Sequence, residues 1–169
     1  MGAMLVILSG LPGVGKTAIA RELASRIGAV HLRIDTIEQA MRSSQGSSDS
    51  LDDAGYRVAY AVAEDNLRIG LSVIADSVNP ILLTRDAWVA VAERAGVPAI
   101  EVEIQCSDFK EHRRRVETRV ADLPGFRLPD WEEVRSREYS PWNREHLVLD
   151  TASRTLDENV MMLREVLRR

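Results

Sequence analysis

Apolar and polar positions fall in alternating blocks along this chain. Short apolar runs are each followed by a stretch in which apolar residues return every three or four positions. The runs predict strands at about 5–9, 30–34, 71–76, 99–105 and 146–150. The helical periodicity predicts helices at about 16–27, 36–43, 54–69, 84–95, 108–120, 131–138 and 156–168. Alternation of this kind is the signature of βα units and a parallel sheet. Local signals support the boundaries: Thr155-Leu156-Asp157-Glu158 reads as a capping box, Ser107-Asp108 as a cap, and Gly96 with Pro98 as a turn. Two segments are less regular. Residues 43–53 are rich in Ser, Gly and Asp and read as an exposed, mobile loop; residues 121–129 carry Pro124, Gly125 and Pro129.

Composition narrows the class. At 169 residues the chain reads as one domain, 1–169, long enough to bury about two-thirds of its unfolded surface. No apolar run approaches the ~20 residues that span a bilayer, so a cytoplasmic protein without a membrane partner is expected, as a monomer or homodimer. The single cysteine, Cys106, excludes an internal disulfide, and no Cys/His spacing suggests zinc. The net charge of −4 argues against a surface that wraps nucleic acid. Of 22 basic residues only Lys16 and Lys110 are lysine, which makes the lysine at position 16 more telling.

That lysine closes the most informative motif. Residues 5–9 are an apolar run, and Gly10 to Thr17 fit G-x-x-x-x-G-K-[ST] at every fixed position. Gly10, Gly13 and Gly15 allow backbone conformations that turn successive N–H groups inward on an anion, and the following helix adds the positive end of its dipole. Lys16 serves as a point charge for the outer phosphates, and the Thr17 hydroxyl is placed for Mg²⁺. The expected nucleotide-binding set is therefore Gly10, Leu11, Pro12, Gly13, Val14, Gly15, Lys16, Thr17 and Ala18, with ATP and Mg²⁺ as cofactors. The expected fold is α/β: a three-layer sandwich with a five-stranded parallel sheet, a phosphate-loop NTPase fold carrying a small helical lid.

In such a sheet ligands meet the carboxyl ends of the strands. Asp76 ends the third predicted strand, the form of the acid that helps hold Mg²⁺; a turn cap is the plainer reading. Asp35 follows the second strand and is the candidate general base for a hydroxyl acceptor, or else a helix cap. Arg115 and Arg119, spaced i, i+4, share a helix face and are candidates for a lid (about 113–130) that closes on the phosphates and stabilises the transferred charge. A solvated charged face is the alternative. His31 and His112 read as ordinary surface or loop histidines.

Together these residues resemble the nucleoside-monophosphate-kinase-like branch of phosphate-loop kinases. More narrowly, the chain is similar to chloramphenicol phosphotransferase, zeta-toxin kinases and the 5′-kinase domain of polynucleotide kinase. The likeness rests on Gly10–Thr17, Asp35, Asp76-Ser77-Val78-Asn79-Pro80, Thr84-Arg85-Asp86-Ala87-Trp88 and the Arg113–Arg119 helix. It implies that Lys16 and Thr17 hold ATP·Mg²⁺, that Asp35 takes the acceptor's proton, that Arg85 steadies the acceptor or the γ-phosphate, that Arg115 and Arg119 clamp the phosphates, and that Thr151 lies beside the adenine. Several relatives carry Arg three residues after the base, where this chain has Glu38. That departure favours a neutral or cationic small-molecule acceptor over a nucleotide or a nucleic-acid end, although Arg33, Arg42 and Arg57 can compensate. The activity implied is ATP-dependent phosphotransfer to a small-molecule hydroxyl. The alternatives are a polynucleotide or nucleoside 5′-hydroxyl kinase, or a regulatory ATP-binding module without an acceptor; a GTPase is excluded by the missing N-K-x-D motif.

Overall fold

A computed structural model describes residues 2–45 and 53–168. Five strands, β1 (Leu5–Ser9), β2 (Val30–Arg33), β3 (Val73–Asp76), β4 (Ala99–Gln105) and β5 (Leu147–Asp150), alternate with seven helices: α1 (Lys16–Ile27), α2 (Ile34–Gln45), α3 (Ala54–Arg68), α4 (Leu82–Ala95), α5 (Phe109–Thr118), α6 (Trp131–Ser136) and α7 (Leu156–Val166). All strand pairs are parallel, in the order β2-β3-β1-β4-β5.

β1 is central and wholly buried, as its unbroken apolar run requires of a strand covered on both faces. Successive side chains of a strand point to opposite faces. Val6 and Leu8 accordingly enter one core with residues of α1 and α7, such as Leu23 and Leu163, while Leu5 and Ile7 enter another with Ala63 of α3 and Trp88 of α4. A third, small cluster of Val116, Trp131 and Val134 joins α5 to α6, and Leu11 of the phosphate loop packs against it.

The predicted elements are all present, with shifts at their ends that matter for the site. α2 starts at Ile34, directly off β2, so Asp35 sits inside its first turn. The third strand begins at Val73, because Gly70 adopts φ 88° and Leu71 folds back to donate to the Asn66 carbonyl. α6 ends at Ser136, which leaves Arg137 as its C-cap. Of the expected 43–53 loop, residues 46–52 lie outside the described residues, and residues 43–45 extend α2.

Candidate active site

The phosphate loop leaves β1 at Ser9. Gly10 at φ 141° passes so close to the Ile104 carbonyl that a Cβ has no room. Gly13, at φ 84°, sits against α5, where a Cβ would come within 2.5 Å of Val116. Gly15 (φ 104°) is the N-cap of α1 and offers no side chain, and the first turn carries no acidic residue. The N–H groups and dipole of that helix end are therefore left for an external anion.

Lys16 is only 8 % exposed and donates from Nζ to the Leu11 carbonyl at 2.9 Å. Burial pulls its pKa down to about 8, against the opposing pull of the Asp76 and Asp35 carboxylates. Asp76 is 3 % exposed, and its Oδ2 lies 3.1 Å from His31 Nε2. Burial alone would raise the Asp76 carboxyl, but His31, Lys16 and a hydrogen bond with Thr17 outweigh it and hold the carboxyl below its ordinary value. Parallel pairing of β2 with β3 brings His31 and Asp76 together, Arg33 standing in register with Asp76.

These groups open on one cavity of about 800 Å³, bounded by the phosphate loop, the start of α2, the end of β3 and the segment after α5. Pro12, Gly13, Gly15, Lys16, Thr17 and Ala18 line it, as do Asp35, Asp76, Arg115 and Arg119. Asp35 is an accessible carboxylate, its side chain 44 % exposed, with Arg33 Nη2 3.7 Å away. It makes no hydrogen bond to backbone among the described residues, so the expected cap role is not what holds it there.

Other expected site residues stand back from the cavity wall. Gly10, Leu11 and Val14 belong to the loop but are not on the cavity wall: Val14 is buried in the α1 core and Leu11 packs on the α5–α6 cluster. Arg85 is fully buried and outside the cavity. Its guanidinium donates to the carbonyls of Asn79 and Ser140 at 2.9 Å and, at longer range, to those of Pro80 and Pro141, and it stacks on Trp142 with 4.2 Å to the ring centroid. It pins the 139–142 segment to the turn that follows β3. Thr151 is buried behind the loop rather than on the cavity wall. Its hydroxyl lies 2.8 Å from the Val14 carbonyl and 3.0 Å from that of Gln105, and it accepts from Arg115 at 2.8 Å. Arg115 also holds Glu111 at 2.7 Å. Arg119 is less committed, with one long contact to the Pro129 carbonyl and a buried Nε without a partner.

Four further residues bear on the site: His31 and His112, read from the sequence as ordinary surface or loop histidines, and Asp122 and Arg137, which the sequence did not single out. His31 braces Asp76. His112 is buried, with Nε2 2.8 Å from the Pro12 carbonyl and its ring edge-on to Trp131. Asp122, in the segment after α5, reaches Arg33 at 2.8 Å and Arg21 at 2.5 Å. Arg137 lines the cavity close enough to Lys16 and Glu38 to influence their charge. The one available signal was the two-residue strand period, which puts His31 on the same face as Arg33.

The fold and site define a kinase-like phosphate-loop domain. The chain belongs to the AAA_33 family, described as "AAA domain", whose profile matches residues 5–137. It is similar to the "Probable adenylyl-sulfate kinase" of Aeropyrum pernix, 28% identical over 166 residues that cover 95% of this chain and 90% of that protein. Among solved structures it resembles a candidate kinase from Chloroflexus aurantiacus, with a TM-score of 0.76 at 24% identity, covering 98% of this chain and 96% of that one. It also resembles the Mycobacterium tuberculosis APS kinase in complex with AMPPNP and APS, with a TM-score of 0.66 at 19% identity and 99% of each chain covered. The two structural likenesses establish the fold. No helix among the described residues is long and apolar enough to cross a membrane.

Proposed function

We propose that the chain is an ATP-dependent phosphotransferase that moves a γ-phosphoryl group to a hydroxyl of a small-molecule acceptor. The observation that carries this reading is the placement of Asp35: an accessible carboxylate, not spent on a cap, sharing one cavity with Lys16, Thr17 and Asp76. Asp35 takes the hydroxyl proton as the acceptor oxygen bonds to phosphorus and the bond to the leaving ADP oxygen breaks. Lys16 and Arg119 meet the charge on the phosphates, Arg119 with an Nε–H to spare.

Thr17 and Asp76 suit Mg²⁺, because they offer hard oxygens side by side at the phosphate loop. Among the described residues no group of three or more His, Cys, Asp or Glu converges as a cage, which agrees with an ion held by one carboxylate, a hydroxyl and substrate phosphates. When bound, Mg²⁺ supplies neutralisation of phosphate charge. His31 keeps Asp76 ionised and oriented. Similarity to a named adenylyl-sulfate kinase supports a small-molecule acceptor.

The test is ADP release against a panel of hydroxyl compounds, with Lys16→Ala as the blank. Release that depends on one compound class is expected. ADP release indifferent to every compound would favour a regulatory nucleotide-binding module instead.

A further inference from the structure

The cavity is far more cationic than the chain. Among the described residues eight cationic side chains line it against five carboxylates, in a chain of net charge −4. Most of these cations have assigned partners. Arg42 holds Glu38 at 3.3 Å, Arg127 holds Glu133 at 2.9 Å, and Arg115 is spent on Glu111 and Thr151. Lys16 and Arg119 serve the nucleotide phosphates in the reading above.

Three cations remain at the Asp35 end, and they are under-supplied. Arg21 and Arg33 share a single carboxylate oxygen, Asp122 Oδ2, and Arg33 has besides it only the longer approach of Asp35 at 3.7 Å. The Arg33 Nε is buried without an acceptor. Arg137 makes no side-chain hydrogen bond or ion pair among the described residues, yet stands within electrostatic reach of Lys16 on one side and Glu38 on the other. Guanidinium groups are the side chains best matched to planar or tetrahedral oxyanions, which offer several acceptor oxygens at once. The facing carboxylate, Glu38, is the feature that argues for a neutral or cationic acceptor; burial pushes its pKa up and Arg42 occupies it, so its repulsion is blunted.

We infer that the acceptor is a small hydroxy compound bearing an anionic group, a carboxylate, sulfate or phosphate, which Arg33 and Arg137 hold and for which Asp122 stands in on Arg33. This rests on the phosphotransferase reading and reverses the acceptor charge expected from Glu38. Asp122 arrives on the segment after α5, so the anion that displaces it also frees that segment from β2 and α1.

The test uses the full chain saturated with AMP-PNP·Mg²⁺, so that the phosphate loop is filled, and titrates inorganic phosphate by calorimetry. Phosphate should bind the wild type and weaken at least about tenfold in Arg33→Met and in Arg137→Met, the loss expected for a charged hydrogen bond. It should tighten in Asp122→Asn. Arg137→Met removes an exposed, unpaired side chain and keeps the test valid if Arg33→Met fails to fold. In the wild type, ADP release is then compared between ribose and ribose 5-phosphate and between glycerol and glycerate, and only the anionic members should stimulate it. Phosphate affinity unchanged in Arg137→Met, or stimulation by neutral members equal to that by the anions, would overturn the inference. Failure of the phosphotransferase reading looks different: AMP-PNP and phosphate both bind with the stated dependence on Arg33 and Arg137, but no compound stimulates ADP release. That result leaves an anion site and removes the acceptor.

Discussion

His112 Nε2 lies 2.8 Å from the carbonyl oxygen of Pro12, fastening the lid helix α5 to the phosphate loop itself. Val116, one turn on, closes against Gly13, and Trp131 backs both through the α5–α6 cluster. These contacts tie α5 to the frame, and we propose that the lid is confined to the later part of the 113–130 segment expected from the basic helix.

We propose that the movable part is the segment 119–130, tied across the cavity by Asp122 to Arg21 and Arg33 and by Gln39 donating to the Pro124 carbonyl at 2.9 Å. The Arg21–Asp122 pair is exposed and worth at most about 1 kcal/mol, so opening is opposed mainly by the pair with the half-hidden Arg33. Hydrogen exchange should slow across 119–130 on adding AMP-PNP·Mg²⁺ and stay unchanged across 110–118. Slowing spread equally over both segments would count against a fixed α5.

Lys16 should make nucleotide binding pH-dependent. Its pKa stands at about 8, against 10.5 for the free side chain, because burial disfavours the charge. Between those two values the unfolded chain binds more protons than the folded one, so the Lys16 contribution to stability improves as pH rises through that window. Nucleotide affinity runs the other way, since the phosphates need the charged form. Affinity for AMP-PNP·Mg²⁺ should fall roughly tenfold from pH 7 to pH 9, and calorimetry in buffers of different ionisation enthalpy should show proton uptake. Lys16→Arg, which cannot deprotonate, should flatten the profile. A wild-type profile that is already flat would mean that Lys16 is not held near pKa 8.

Asp35→Asn separates the base from a structural role. The amide keeps the shape and loses the proton acceptor, so AMP-PNP affinity should stay within about twofold while single-turnover transfer drops by ~10²–10⁴. Transfer at the wild-type rate in the folded variant would place the base elsewhere.

Arg85→Leu should act on stability. The substitution strands the buried carbonyl of Asn79 and the half-buried one of Ser140 and removes the stack on Trp142, at a cost of about 3 kcal/mol. A lowered urea midpoint with nucleotide affinity intact in the folded fraction is expected. Unchanged stability with transfer abolished would restore Arg85 to the chemistry.

Much of this protein was legible without coordinates, for a local reason. A positive-φ glycine, an unbroken apolar run and a capping box constrain only the residues that carry them, so β1, the phosphate loop and α1 follow from residues 5–27, and the start of α7 from Thr155 to Glu158. Lys16 and Thr17 inherit their places from that loop, and Asp35 and Asp76 from standing at strand ends. The tertiary structure decided what each polar side chain meets. Arg85 and Thr151 sit in the expected segments, but strand order and the 139–142 segment bury them among carbonyls, and burial converts them into braces. His31 gains its role from Asp76, 45 residues away, and His112 from Pro12, 100 residues away. A side chain's chemistry is set by its partners and its access to water, and for these residues both come from parts of the chain that local pattern does not join.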